Sequence, residues 1–365
     1  MSSLENTISS QTPCIDLFIS TIIPTLAPSS KSPLCLPFRK KCLHLSHQYL
    51  IRASGRAFSR SPNLHAPHHR NTDKQMETIS NEALCVTISP VGAEVQSVKD
   101  VNTGREYLWQ GDARWWHGRS PILFPIVGGM WNGVCRIDGN EVKIPKHGIV
   151  REVNWLPTER KADSVRFEFN STVGTFEVYP FAFHLAVTYR LEGRKLIADF
   201  EVKNLGSAPL WFQMGGHPAI ALPDWKEENT VDGYLKLEGK PEYLWRAGDQ
   251  GCLEAEKHPV PFNAEGLINL EVETFSNEAL IFDAHQVSAA TVLDLNHQPV
   301  ARVESTAPVW LFWSPQGLHS PFVCAEPWYG LCDHQHFEGS VEERPFINCA
   351  REGEVWKGGY AVEVF

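Results

Sequence analysis

Three short stretches carry polar side chains in the kind of corner where chemistry on a small molecule is done. They are Lys146-His147-Gly148, Gly215-Gly216-His217-Pro218 and Ala325-Glu326-Pro327-Trp328. In each, an apolar run delivers one titratable group into a segment rich in Gly and Pro. Glycine lets a substrate or a second backbone come close, and proline fixes the corner. Glu326 follows the apolar run Pro321–Ala325 and precedes Pro327, Trp328 and Tyr329. A carboxylate in so apolar a place has a raised pKa and suits a general base. Two histidines and a glutamate make a metal set or an acid/base set working on one small molecule. The plainer alternative is that each His satisfies a local backbone group and Glu326 caps a turn.

The elements that must position these groups are strands. Apolar residues alternate in Ser164–Asn170, Phe183–Arg190 and Lys195–Lys203, and again in Val287–Leu295, Val300–Ser305 and Val309–Trp313. Such alternation marks half-buried strands. Asp138-Gly139 between two alternating segments predicts a hairpin turn. Glu106–Trp109 reads as a short strand, and Asp112–Arg119 as a loop rich in Trp. Pro121–Gly129, with two prolines, reads as a buried irregular segment lining a site. Asp224–Gly266 reads as polar loop. The run ending at Glu326 should stop or bulge at Pro327, which has no N–H for a ladder. Long amphipathic helices are not found. The fold class is therefore all-β with few helices, a sandwich or closed sheet.

Composition narrows the partners. The chain has 365 residues and a formal net charge of −10, which argues against nucleic acid and anionic membrane. No apolar run approaches the ~20 residues of a membrane-spanning helix. Nine cysteines show no pairing framework and no zinc spacing, which points to a reducing compartment. Residues 1–75 differ from the rest. They are rich in Ser, Pro and Arg, and up to Lys74 their only acids are Glu5, Asp16 and Asp73. This segment reads as a disordered leader, either a transit peptide or an over-extended start before Met76. The location is then cytoplasmic, or plastid if the leader is a transit peptide. Residues 76–365 form the domain.

Four stretches in order, Arg119-Ser120-Pro121-Ile122-Leu123-Phe124-Pro125-Ile126-Val127-Gly128, His147-Gly148, Gly216-His217-Pro218 and Glu326-Pro327-Trp328-Tyr329-Gly330, resemble the aldose 1-epimerase (galactose mutarotase) family. The LacX-like branch is the nearest in pattern, and the resemblance runs from Met76 to Phe365. It implies a large galactose mutarotase-like β-sandwich and chemistry without a metal or other cofactor. It implies Glu326 as general base on the anomeric hydroxyl and His217 as general acid on the ring oxygen. His147 would bind the substrate near that oxygen, and Trp328 would pack against the sugar or beneath Glu326. The partner is a small-molecule sugar, an aldohexose or a hexose phosphate, on a monomer or weak dimer.

Two positions depart from the family. Gly129 stands where an arginine is usual, which leaves Arg119 as the candidate guanidinium for substrate, with a structural ion pair as its alternative. A further substrate-binding aspartate has no clear match, Glu278 being nearest by context. Three functions stay open: an aldose 1-epimerase for a free hexose, a hexose-6-phosphate mutarotase drawing on Arg114, Arg119 or Arg151, and a sugar-binding module of the same fold.

Overall fold

The computed structural model describes residues 75–365, so the expected leader lies outside the described residues apart from its last position. Antiparallel strands build two large sheets. The first has nine, in the order Ile268–Asn269, Tyr234–Gly239, Val287–Leu293, Pro299–Glu304, Val355–Val364, Lys195–Asn204, Phe183–Glu192, Ser164–Asn170 and Leu156–Arg160. The second runs Leu253–His258, Leu244–Ala247, Leu280–Phe282, Val309–Trp313, Phe322–Tyr329, Met214–Gly216 and Ile122–Leu123, and Ala219–Ala221 also pairs with Phe322–Tyr329. Among the described residues, helix is confined to Val173–Val178 and a few single turns. None of these helices is long and apolar enough to cross a membrane.

The alternating segments do what their period dictates. Phe167, Val187, Tyr189, Ala198, Phe200 and Val202 are buried on the inner face of the nine-stranded sheet. The intervening Arg166, Arg190, Asp199 and Glu201 form ion pairs on its outer face. The two sheets meet across the core: Phe124 lies 4.9 Å from Phe183, and the Ser120 and Tyr360 hydroxyls are 3.3 Å apart. The result is a β-sandwich of two large antiparallel sheets. Asp138 and Gly139 turn the hairpin between Val134–Ile137 and Asn140–Lys143, both with positive φ, +50° and +74°.

Three expectations need correction. Asp224–Gly266 is not all loop; it holds Tyr234–Gly239, Leu244–Ala247 and Leu253–His258. The first and last of these bury one side chain each, Leu235 and Leu253, so their period is faint in the sequence. Glu106–Trp109 forms only isolated bridges, Glu106 to Lys99 and Leu108 to Ile220. Finally, the strand Phe322–Tyr329 runs straight through Pro327. Ala325 N–H donates to Pro218 O at 3.1 Å, so the Pro327 nitrogen, two residues on, also faces the partner segment 214–221. That partner breaks between Gly216 and Ala219, and pairing on the other side, to Val309–Trp313, loses nothing.

Every residue of Phe322–Tyr329 is buried. Val323, Ala325 and Tyr329 join the main core. Phe322, Cys324, Glu326 and Trp328 point to the opposite face of the sheet, where the pocket lies.

Candidate active site

The register of one strand pair brings His217 to Glu326. Gly215 pairs with Trp328 and Ala219 with Cys324, so the same register carried across the gap sets His217 opposite Glu326. Directly opposed residues of an antiparallel pair project to one face. Accordingly His217 Nε2 lies 3.1 Å from Glu326 Oε1. On the other flank Glu326 pairs with Leu311, and Leu311 with Ile281. This row of cross-strand neighbours floors a pocket of ≈ 250 Å³. Trp328 sits one same-face position along, and its Nε1–H donates to Glu326 Oε2 at 3.1 Å. Gly215 and Gly216 are needed here: an added Cβ would fall 2.8 Å from the Trp328 ring and 2.4 Å from Tyr360.

His147 enters from a tight turn. Its φ is +66° and that of Gly148 is +80°, and a Cβ on Gly148 would sit 1.9 Å from Phe124 O. A left-handed histidine is a strained backbone of the kind that collects at functional sites. Two contacts lock the turn: His147 N–H donates to Gly128 O at 3.0 Å, and Gly128 N–H donates to His147 Nδ1 at 3.2 Å. With Nδ1 accepting, the neutral ring carries its proton on Nε2. The ring lies 5.5 Å from His217 and 5.9 Å from Trp328, centroid to centroid.

Burial governs protonation. Glu326 is 0% and His217 6% exposed. Desolvation pushes the Glu326 carboxyl well above the usual range, with Lys146 and the Trp328 hydrogen bond acting the other way. Desolvation holds His217 down to about 3; its own carbonyl opposes this, and Arg151 and Lys146 add to it. His147 is likewise pushed well down, by burial first, then by His217, Lys146 and Arg151. Burial therefore opposes charge on both members of the pair and favours a protonated Glu326 beside a neutral His217. That reverses the resting state the sequence suggests, Glu ready to accept and His ready to donate. The two atoms between which a proton would pass are 3.1 Å apart.

A metal set is also present in outline. One ligand atom each from His217, Cys324 and Glu326 lies within 4.8 Å of the others. Burial and Glu326 hold the Cys324 thiol well above its ordinary pKa. Burial that favours the protonated thiol and acid works against metal ligation, which needs both deprotonated.

A family model described as aldose 1-epimerase matches residues 75–340. The chain belongs to the aldose 1-epimerase family. It is an isomerase acting on carbohydrates, of the LacX-like branch and of sugar mutarotase type. Protein LacX (plasmid) of Lactococcus lactis subsp. lactis is 27% identical over 295 residues, 78% of this chain and 98% of the relative. A galactose mutarotase related enzyme from Lactobacillus acidophilus, also 27% identical, matches with a TM-score of 0.73 over 80% of this chain and 97% of its own. A galactose mutarotase-like protein from Lactobacillus casei shares the fold at 24% identity, with a TM-score of 0.75 over 80% of this chain and all, 100%, of its own.

In this epimerase His147, His217, Glu326 and Trp328 line one pocket, and Arg119 does not. The Arg119 guanidinium donates to Gln96 Oε1 and Gln110 O, both at 2.7 Å. The Arg119 and Ser120 N–H groups both donate to Glu94 Oε1, which turns the residue away from the pocket and into bracing the tryptophan loop. The alternative of an ion pair is also not what is found; its side-chain partners are an amide and a carbonyl. At Gly129 a Cβ would strike Gln250 O at 2.4 Å, so backbone leaves no room for a side chain there.

The pocket holds residues that the sequence left unassigned. Lys146, Trp116 and Trp313 line it, as do Arg151 and Glu278, which sequence reasoning weighed without placing. Lys146 and Arg151 were findable from their spacing around His147. Trp116 and Trp313 carry no local signal beyond abundance of tryptophan.

Proposed function

We propose that this pocket opens and recloses the ring of an aldohexose and so interconverts its α and β anomers. The observation that carries the reading is the buried pair His217–Glu326, side by side at 3.1 Å, each with its neutral form favoured by burial. The anomeric carbon bears two oxygens, and ring opening must take a proton from one and give a proton to the other. Neighbouring acid and base groups suit neighbouring oxygens.

As carboxylate, Glu326 takes the proton of the anomeric hydroxyl. As imidazolium, His217 gives its proton to the ring oxygen. The bond from C1 to the ring oxygen breaks and C1 becomes an aldehyde. Rotation about C1–C2 presents the other carbonyl face. On closure the ring oxygen attacks C1, His217 recovers its proton and Glu326 returns one to the new hydroxyl. The pair ends with the proton it began with. His147 donates from Nε2 to a sugar oxygen and places the ring. Trp328, bonded to Glu326 Oε2, leaves Oε1 as the working oxygen.

Polarimetry or exchange NMR on α-glucose and α-galactose tests this, with and without the full chain. Faster equilibration is expected. Binding of hexoses with no acceleration, across a panel of sugars and sugar phosphates, overturns it.

One observation favours a phosphorylated sugar as a second reading. Lys146 and Arg151 both line the pocket, Arg151 Nε is buried without a partner, and among the described residues neither cation pairs with a carboxylate. The same panel separates the two, since a phosphate site predicts a lower KM for the phosphorylated sugar than for its parent.

A further inference from the structure

The loop before Arg119 carries adjacent tryptophans, and one of them is built into the site. The Trp116 indole lies over the His217 imidazole, with ring centroids 4.8 Å apart and planes 26° apart. The indole is itself wedged. It meets Trp313 edge-on at 5.6 Å, Phe322 lies 5.9 Å away, and a Cβ on Gly118 would strike it at 2.4 Å. The Trp116 carbonyl accepts from Trp109 Nε1 at 2.8 Å, which anchors the loop.

Little else orients His217. Its Nε2 faces Glu326, and its buried Nδ1 hydrogen-bonds to no other residue among those described. A catalytic histidine is ordinarily held through its second nitrogen by a carboxylate or a carbonyl. Here an aromatic face stacks on the imidazole instead, with His147 and Trp313 meeting the ring edge to face.

We propose that Trp116 is the positioning residue for His217: its indole fixes the imidazole plane against Glu326 and favours the imidazolium when the ring oxygen takes its proton. The inference rests on His217 being the acid. An imidazolium is drawn to an aromatic face more strongly than a neutral imidazole. The other titratable groups around His217 are Glu326 and Cys324 on the facing strand, His147, Lys146 and Arg151 from the turn, and Glu278 on the pocket lining. Lys146 and Arg151 oppose a second positive charge, so the indole acts against them.

The test uses the full chain and α-glucose, or whichever hexose the panel shows to be turned over. W116L keeps apolar bulk and removes the aromatic face; W116F keeps a smaller one. W116L is expected to lower kcat about tenfold and to leave KM within about twofold. W116F should recover most of that loss. The acid limb of the kcat pH profile, set by His217, should move to lower pH in W116L because the imidazolium is harder to form, while the alkaline limb, set by Glu326, should stay in place. By NMR, the His217 ring-carbon proton should lose its upfield ring-current shift in W116L and keep part of it in W116F, a readout independent of turnover.

A W116L enzyme with unchanged kcat and an unmoved pH profile overturns the proposal. So does one in which KM alone rises, which would make Trp116 a wall for substrate. Equal losses in W116L and W116F overturn it too. H217N separates this from the underlying reading: full activity in H217N removes the acid assignment itself, whereas an inactive H217N beside an unaffected W116L removes only the role of Trp116.

Discussion

The outer face of the nine-stranded sheet and the strand Phe322–Tyr329 treat charge in opposite ways. On the outer face Arg166 pairs with Glu201, Arg190 with Asp199, Lys195 with Glu304 and Arg302 with Glu238, at 2.6, 2.9, 2.6 and 2.8 Å. All of these groups are partly exposed and water screens them, so each pair contributes about 0–1 kcal/mol. On the inner strand Glu326 is sealed beneath His217, with one hydrogen bond to Trp328 and its Oε1 otherwise unpartnered. Burying such groups costs about several kcal/mol when they are charged, which favours their neutral forms. The outer face shows what this β-sandwich does with charge when only solubility and register are at stake. The inner strand departs from that pattern at Glu326, where the proposed reaction moves a proton.

The comparison breaks most sharply by exchanging the working groups. E326Q and H217N should each lower catalysed mutarotation by about 100-fold or more. Thermal midpoints should barely move, because burial favours the uncharged form of both residues and the replacements approximate their shape. A double variant that keeps the wild-type rate in polarimetry would remove both assignments.

The pH profile comes next. Below the His217 value of about 3 the pair carries two protons and no base remains. Above the raised Glu326 value it carries none and no acid remains. The rate over background should hold through the window between and fall about tenfold per pH unit beyond either limb. A single acid limb near the ordinary carboxylate range, with no alkaline limb, would show that Glu326 ionises independently of His217.

Gly148 tests the mount of His147 apart from its chemistry. At φ +80°, with Phe124 O only 1.9 Å from an added Cβ, G148A should cost about 1–3 kcal/mol in denaturant unfolding and reduce turnover with it. Stability and rate both unchanged would mean that the turn relaxes freely. The smallest effect belongs to the outer face: R302A should cost no more than about 1 kcal/mol and leave mutarotation at the wild-type rate. A large loss of activity there would tie the two faces together in a way the fold does not suggest.

Much of the fold was legible because one face of each scaffold strand is wet. Leu185, Val187 and Tyr189 alternate with polar residues, and Asp138-Gly139 can hardly be anything but a turn. Tyr234–Gly239 and Leu253–His258 were not legible, since one buried leucine apiece leaves no period to read. The proline rule misled at Pro327 because its missing donor faces a gap in the partner strand, which no local pattern reveals. At the site, Glu326, His217 and His147 were findable from their Gly- and Pro-rich corners. Arg119 was misjudged because a guanidinium reaches far, and only Gln96 and Gln110 show which way it turned. Trp116 was one tryptophan among 12 until the loop closed over His217.

The amino-acid sequence by itself determined the all-β class, the hairpins and the three corners that bear titratable groups. These follow from local preference and from a period of two, both carried by neighbours in the chain. Only the tertiary structure decided that position 217 stands opposite 326, that an indole covers the imidazole and that burial favours the neutral form of each partner. Cross-strand register and burial arise between segments far apart along the chain. They are set by which faces exclude water together, and no local spacing encodes that.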